Sequence, residues 1–104
     1  MKKLIIILAI FAFVSCTEQT PRVQNEQISE AQVKSMYKTM CSICHGLDGT
    51  MAYAGAKDLS VSAMTLEEKI AIIKYGKSTM LPFENRLTYK EISAIAEYID
   101  TFKK

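Results

Sequence analysis

The sequence predicts a mainly α domain of three or four short helices joined by long loops. A hydroxyl residue followed three positions later by Glu or Gln occurs at Ser29/Gln32, Thr65/Glu68 and Thr88/Glu91, the capping-box signature of a helix start. Apolar residues then recur at helical spacing behind each box, and no alternating run long enough for a convincing strand is present. Between the helical stretches lie segments rich in Gly, Asp and Ser, which turn readily and carry no sustained period.

In chain order, Met1-Lys2-Lys3 followed by the apolar run Leu4 to Val14 reads as a signal peptide over residues 1–15. The run is too short to span a bilayer, which takes about 20 residues. The chain carries 13 basic and 11 acidic residues, a formal charge of +2. Loss of Lys2 and Lys3 with the signal leaves eleven of each, so the basic balance gives no argument for a nucleic-acid partner. Phe13-Val14-Ser15-Cys16 resembles a bacterial lipobox, with Ser15 before a cysteine that becomes lipidated and N-terminal; Phe13 stands where leucine is usual. The alternative is an ordinary secreted protein with a spare thiol, a liability in an oxidising compartment. Residues 16–28, with Pro21 and little apolar content, form a lipidated N-terminus and flexible tether. Residues 29–104 then make the single domain.

The first helix starts at Ser29, with Ile28 and Val33 as a hydrophobic staple, and its stripe is Val33, Met36, Tyr37 and Met40. Gly46 to Met64 is a loop, from which Leu59 is expected to point inward. Thr65 opens the second helix, through Ile70, Ile72 and Ile73 to about Tyr75, with Gly76 as its C-terminal stop. Lys77 to Phe83 is a loop containing Pro82. Thr88 opens the last helix, whose stripe is Ile92, Ile95, Ala96 and Ile99, flanked by Tyr98 and Phe102. Charged residues are expected on the solvated faces.

The chemistry sits in Cys41-Ser42-Ile43-Cys44-His45, the C-x-x-C-H sequence that attaches haem c. Two thiols at this spacing can each bond one vinyl group of the same porphyrin, and the adjacent His45, the chain's only histidine, is placed to ligate the iron. A structural zinc site would need a fourth protein ligand, and no second C-x-x-C or H-x-x-x-H is present. A thioredoxin-like dithiol would sit beside a βαβ pattern, which is absent. A mature chain of about 89 of the 104 residues has a thin core of its own. A covalently held, largely apolar macrocycle would supply its centre.

Taken together, the chain resembles a class I c-type cytochrome over residues 29–103. Tyr37 through Gly49, with its aromatic four residues before Cys41 and its His45-Gly46-Leu47-Asp48-Gly49 continuation, looks like the family's haem-attachment segment. Ala56-Lys57-Asp58-Leu59 is similar to the stretch that bears a leucine against the haem. Gly76 to Phe83 resembles the loop carrying the sixth ligand, where methionine usually precedes proline directly and Leu81 intervenes here. The resemblance implies a cytochrome c fold wrapped around one covalent haem c, with single-electron transfer between membrane-associated or periplasmic partners. Iron ligands are then His45 and Met80, the latter favoured over Met36, Met40, Met51 and Met64 by loop freedom and sulfur softness.

A six-coordinate iron has no open position for substrate, and no constellation for acid–base or nucleophilic catalysis is visible, so the expectation is a monomeric electron carrier and not an enzyme. The alternatives are an open-coordination haem that binds a small gas or peroxide, a haem c accessory subunit of an oxidase or reductase, and, last, a zinc or dithiol protein. A lipid at Cys16 would hold the domain on the periplasmic side of a bacterial membrane. Lys57, Lys74, Lys77 and Lys90 are docking candidates if they ring the haem edge, and otherwise ordinary surface lysines.

Overall fold

Ser29, Thr65 and Thr88 each accept a hydrogen bond from the backbone N–H three residues on, while the side chains of Gln32, Glu68 and Glu91 accept one from the cap's own N–H. Three local signals thus fix three helix starts in the computed structural model, which describes residues 27–104. The signal peptide, Cys16 and the tether up to residue 26 lie outside the described residues. Ile28 packs against the core, in keeping with its expected place in the hydrophobic staple ahead of the first helix.

The helices are α1 (Glu30–Met40), α2 (Ser42–His45), α3 (Leu66–Tyr75) and α4 (Tyr89–Ile99), with 3₁₀ turns at Tyr53–Gly55, Leu59–Val61 and Asp100–Phe102. No strand is present among the described residues. α4 is the central element and packs against both α1 and α3. Its stripe Ile92, Ile95, Ala96 and Ile99 is buried, as the spacing predicts, and meets Val33 and Tyr37 of α1, Ile73 of α3, and Leu59, Phe83 and Leu87 from the loops. A fully buried aliphatic side chain contributes about 1.5–3 kcal/mol, so the two shielded isoleucines, Ile92 and Ile95, are major single contributors.

Tyr37, Tyr98 and Phe102 form a triangle of edge-on rings with centroids 5.0–5.5 Å apart. Aromatic edges are positive and faces negative, so this arrangement adds about 0.5–1.5 kcal/mol per pair beyond area burial. Phe102 also lies over Gly49, where an added Cβ would come within 2.8 Å of the ring. The C-terminal turn is thereby seated on the loop that follows α2.

Lys69 departs from the expectation that charges stay on solvated faces. It is buried at 3% exposure, on the side of α3 that meets α4. Its Nζ is paired with Asp100, which also binds Lys103. Hydrogen bonds from Lys103 and Lys69 hold the Asp100 carboxyl below its ordinary range. An unpaired buried ammonium would be costly, so Asp100 is what makes Lys69 tolerable there.

Candidate functional site

α1 does not end at its last apolar residue. Cys41 caps it, donating its N–H to Tyr37, and at the same residue the chain re-enters a helical turn, α2. The N–H groups of Cys44 and His45 both reach the Cys41 carbonyl, at 3.2 and 3.0 Å. This winds Cys41, Cys44 and His45 onto one turn. Both thiols are free and partly buried, while Ile43 between them is exposed. Burial pushes the Cys41 thiol up to about 11.

Gly46 ends the turn at φ 78°, and the Tyr37 hydroxyl donates to its carbonyl at 2.8 Å. Burial, with the Cys41 sulfur next, keeps that phenol above its usual range and therefore a neutral donor. The aromatic four residues before Cys41 thus pins the far end of the attachment segment.

His45 closes α2. Its Nδ1 lies 3.0 Å from the Lys57 carbonyl oxygen. A carbonyl can only accept, so Nδ1 carries the proton and Nε2 is left with its lone pair. That is the tautomer a metal ligand needs, oriented by a backbone partner. Asp58 prepares the segment by accepting from the Ser60 N–H at 2.9 Å, and Leu59 donates its N–H to the Gly49 carbonyl at 2.8 Å. Leu59 points into the core, as expected. Lys57, a docking candidate by its charge, contributes its carbonyl.

Met80 closes a tight turn. Lys77 and Met80 exchange backbone hydrogen bonds of 3.2 and 3.0 Å, with Ser78 at φ 57° between them. Gly76 underlies the turn at φ 75°; a Cβ there would run into the Met80 carbonyl oxygen and lie 3.0 Å from the Pro82 nitrogen. No other residue type fits this close approach. After Pro82, the N–H groups of Phe83 and Glu84 bond the Ile73 and Lys74 carbonyls, satisfying acceptors that the end of α3 leaves open. Met80 is partly buried against the core.

The other methionines are placed differently. Met36 and Met40 pack against the core from α1. Met51 is 48% exposed, its N–H on the His45 carbonyl at 2.9 Å. Met64, expected to serve helix packing, is partly buried but is not among the side chains packed on the core.

The donor set fits haem c: two thiols on one turn, an imidazole with a free Nε2, and a methionine in a braced loop. The surroundings fit it as well. Ile43, Leu47, Met51, Tyr53 and Val61, together with Leu81 beside Met80, are large apolar side chains exposed in the protein chain alone. A large apolar group bound among them would cover such surface.

A family profile described as cytochrome c oxidase, cbb3-type, subunit III matches residues 29–99. Among solved structures, KustC0563 c-type cytochrome is 30% identical with a TM-score of 0.62, over 68% of this chain and 96% of that one. Cytochrome c6C from Synechococcus sp. PCC 7002 is 26% identical with a TM-score of 0.57, over 65% and 89%. Cytochrome c6 from the diatom Phaeodactylum tricornutum is 25% identical with a TM-score of 0.57, over 64% and 85%. The comparison with curated proteins gives no match.

Proposed function

The chain belongs to the family described as cytochrome c oxidase, cbb3-type, subunit III, as a small class I c-type cytochrome that carries electrons on covalent haem c, and from that premise we propose how its residues hold and tune the group. Cys41 and Cys44 would hold the group through thioether bonds to its two vinyl substituents, and His45 through Nε2 and Met80 through its sulfur would ligate the iron. The bound group supplies a one-electron ferric–ferrous couple. The chain supplies position, ligand softness and exclusion of water.

The observation that carries this reading is the His45 ring, committed through Nδ1 to the Lys57 carbonyl on the same turn as both thiols. The bond fixes the ring plane and the tautomer, leaving the Nε2 lone pair free. The Met80 thioether is a soft ligand that favours ferrous iron and raises the potential. With His45 and Met80 both bound, the iron would offer substrate no opening, and carriers of this kind are generally not enzymes; we extend that to this chain. A redox-poised absorption spectrum of the holoprotein tests the reading. The expected result is one reversible, one-electron, low-spin transition with little change on adding carbon monoxide; rapid and complete carbon monoxide binding by the ferrous form would instead favour the gas- or peroxide-binding alternative.

Partners are redox proteins, and domains of this family are typically periplasmic or extracellular. None of the described helices is long and apolar enough to cross a membrane. The proposed location is the periplasmic face of a bacterial membrane, with the monomer held by lipid on Cys16 after removal of residues 1–15. One acyl chain binds a membrane only marginally, whereas two or more hold firmly. Wild-type protein should incorporate labelled fatty acid and pellet with membranes, and Cys16→Ser should lose both properties. An unlabelled wild type would mean plain secretion.

A further inference from the structure

Two non-glycine residues take positive φ among the described residues, Ala54 at 52° and Ser78 at 57°. Each conformation is unfavourable for an L-residue, and persists only where its surroundings hold it. They are distant in sequence yet meet in space. Thr79, next to Ser78, donates its hydroxyl to the Ala54 carbonyl at 3.2 Å. Among the described residues this is the hydrogen bond that joins the Tyr53–Gly55 turn to the Met80 turn.

The two turns are braced differently. The Met80 turn is fixed at its base, by the Lys77–Met80 pair, the close approach to Gly76 and the Phe83 and Glu84 bonds to α3. Its tip, Ser78-Thr79, is exposed and reaches the opposite loop through the Thr79 hydroxyl. The Tyr53–Gly55 turn is exposed throughout, and it follows the segment that leaves His45. Ala54 in the left-handed region and Ser78 at positive φ set the backbone course that brings a carbonyl and a hydroxyl within bonding distance.

We propose that Thr79 is a positioning residue: its hydroxyl latches the Met80 turn to the Ala54 carbonyl and so sets how often the sixth iron position opens. The inference rests on Met80 as the sixth ligand. Opening of that position is a local equilibrium between a closed and an open turn, and the latch bond is present only in the closed state. Losing one net hydrogen bond of ordinary strength raises the open population about fivefold. The bond is exposed, so the effect stays local and does not threaten the fold.

The test compares carbon monoxide binding rates of the ferrous holoprotein for wild type, Thr79→Val, Thr79→Ser and Met80→Ala, with amide hydrogen exchange at Met80 measured alongside. Thr79→Val keeps the shape of the side chain and removes the donor. It is expected to bind carbon monoxide about fivefold faster and to exchange the Met80 amide about fivefold faster, as one net hydrogen bond dictates. Its sulfur-to-iron absorption band should persist, and Thr79→Ser should restore wild-type rates. Equal rates in wild type and Thr79→Val, beside a fast Met80→Ala, overturn the latch and leave the ligand assignment standing. The same rise in Thr79→Ser as in Thr79→Val also overturns it, since the hydroxyl would then be irrelevant. A Met80→Ala protein that keeps the sulfur-to-iron band overturns the ligand assignment and the latch together.

Discussion

Replacing both Cys41 and Cys44 by alanine is expected to leave a chain with little fixed structure, degraded in the compartment where the wild type accumulates. The core holds ten buried apolar residues, drawn from α1, α3, α4 and the loop anchors Leu59, Phe83 and Leu87. The segment from Ile43 to Val61 adds Leu59 to that core while leaving five large apolar side chains exposed. Covering one such side chain contributes about 1.5–3 kcal/mol. Covering four or five therefore matches the roughly 5–15 kcal/mol that is the whole stability of an ordinary domain. Without thioether bonds the group is held by coordination alone and is lost by dissociation. Far-ultraviolet circular dichroism and thermal unfolding of the double variant are the measurements. A cooperative transition with full helical signal would show that the protein chain stabilises itself, and the covering role assigned to the haem would fall.

How far the molecule could be read from its sequence depends on how local each feature is. Capping boxes span four residues, so the starts of α1, α3 and α4 were legible to the residue. The stripe of α4 was equally plain, because a helix buried on one side repeats its apolar positions. The donor cluster Cys41, Cys44 and His45 is contiguous and needs no tertiary information. What escaped were contacts made by backbone carbonyls. The Lys57 carbonyl that orients His45 and the Ala54 carbonyl that receives Thr79 carry no side-chain signature, and lie 12 and 25 residues from their partners. Lys69 escaped for a related reason. Its burial follows from Asp100, 31 residues away, and its own helix marks it only as sharing a face with Ile73. The irregular segment from Gly46 to Met64 contains two 3₁₀ turns that no periodicity announces.

Met80→Ala is expected to abolish the sulfur-to-iron absorption band, lower the reduction potential and admit carbon monoxide rapidly. The substitution is clean because the turn is held by main-chain atoms. The Lys77–Met80 pair, the Gly76 contact and the Phe83 and Glu84 bonds all survive loss of the side chain. The iron would then keep His45, whose orientation by the Lys57 carbonyl is untouched, and exchange a soft thioether for water or an added ligand. Axial ligation spans roughly 0.8 V in haem proteins, and loss of methionine moves the couple down within that range. The rival sulfurs are disfavoured on position. Met36 and Met40 lie on α1, the helix that leads directly into the attachment turn, and the backbone of Met51 is tied to the His45 carbonyl. Met64 is the serious competitor, being partly buried without a place in the core, with its N–H 3.4 Å from the Ser62 hydroxyl. Parallel spectra of Met80→Ala and Met64→Ala decide between them. Loss of the band in Met64→Ala, with Met80→Ala unchanged, would transfer the ligand role to the residue before the α3 cap. The braced turn would then be left without a function at the iron.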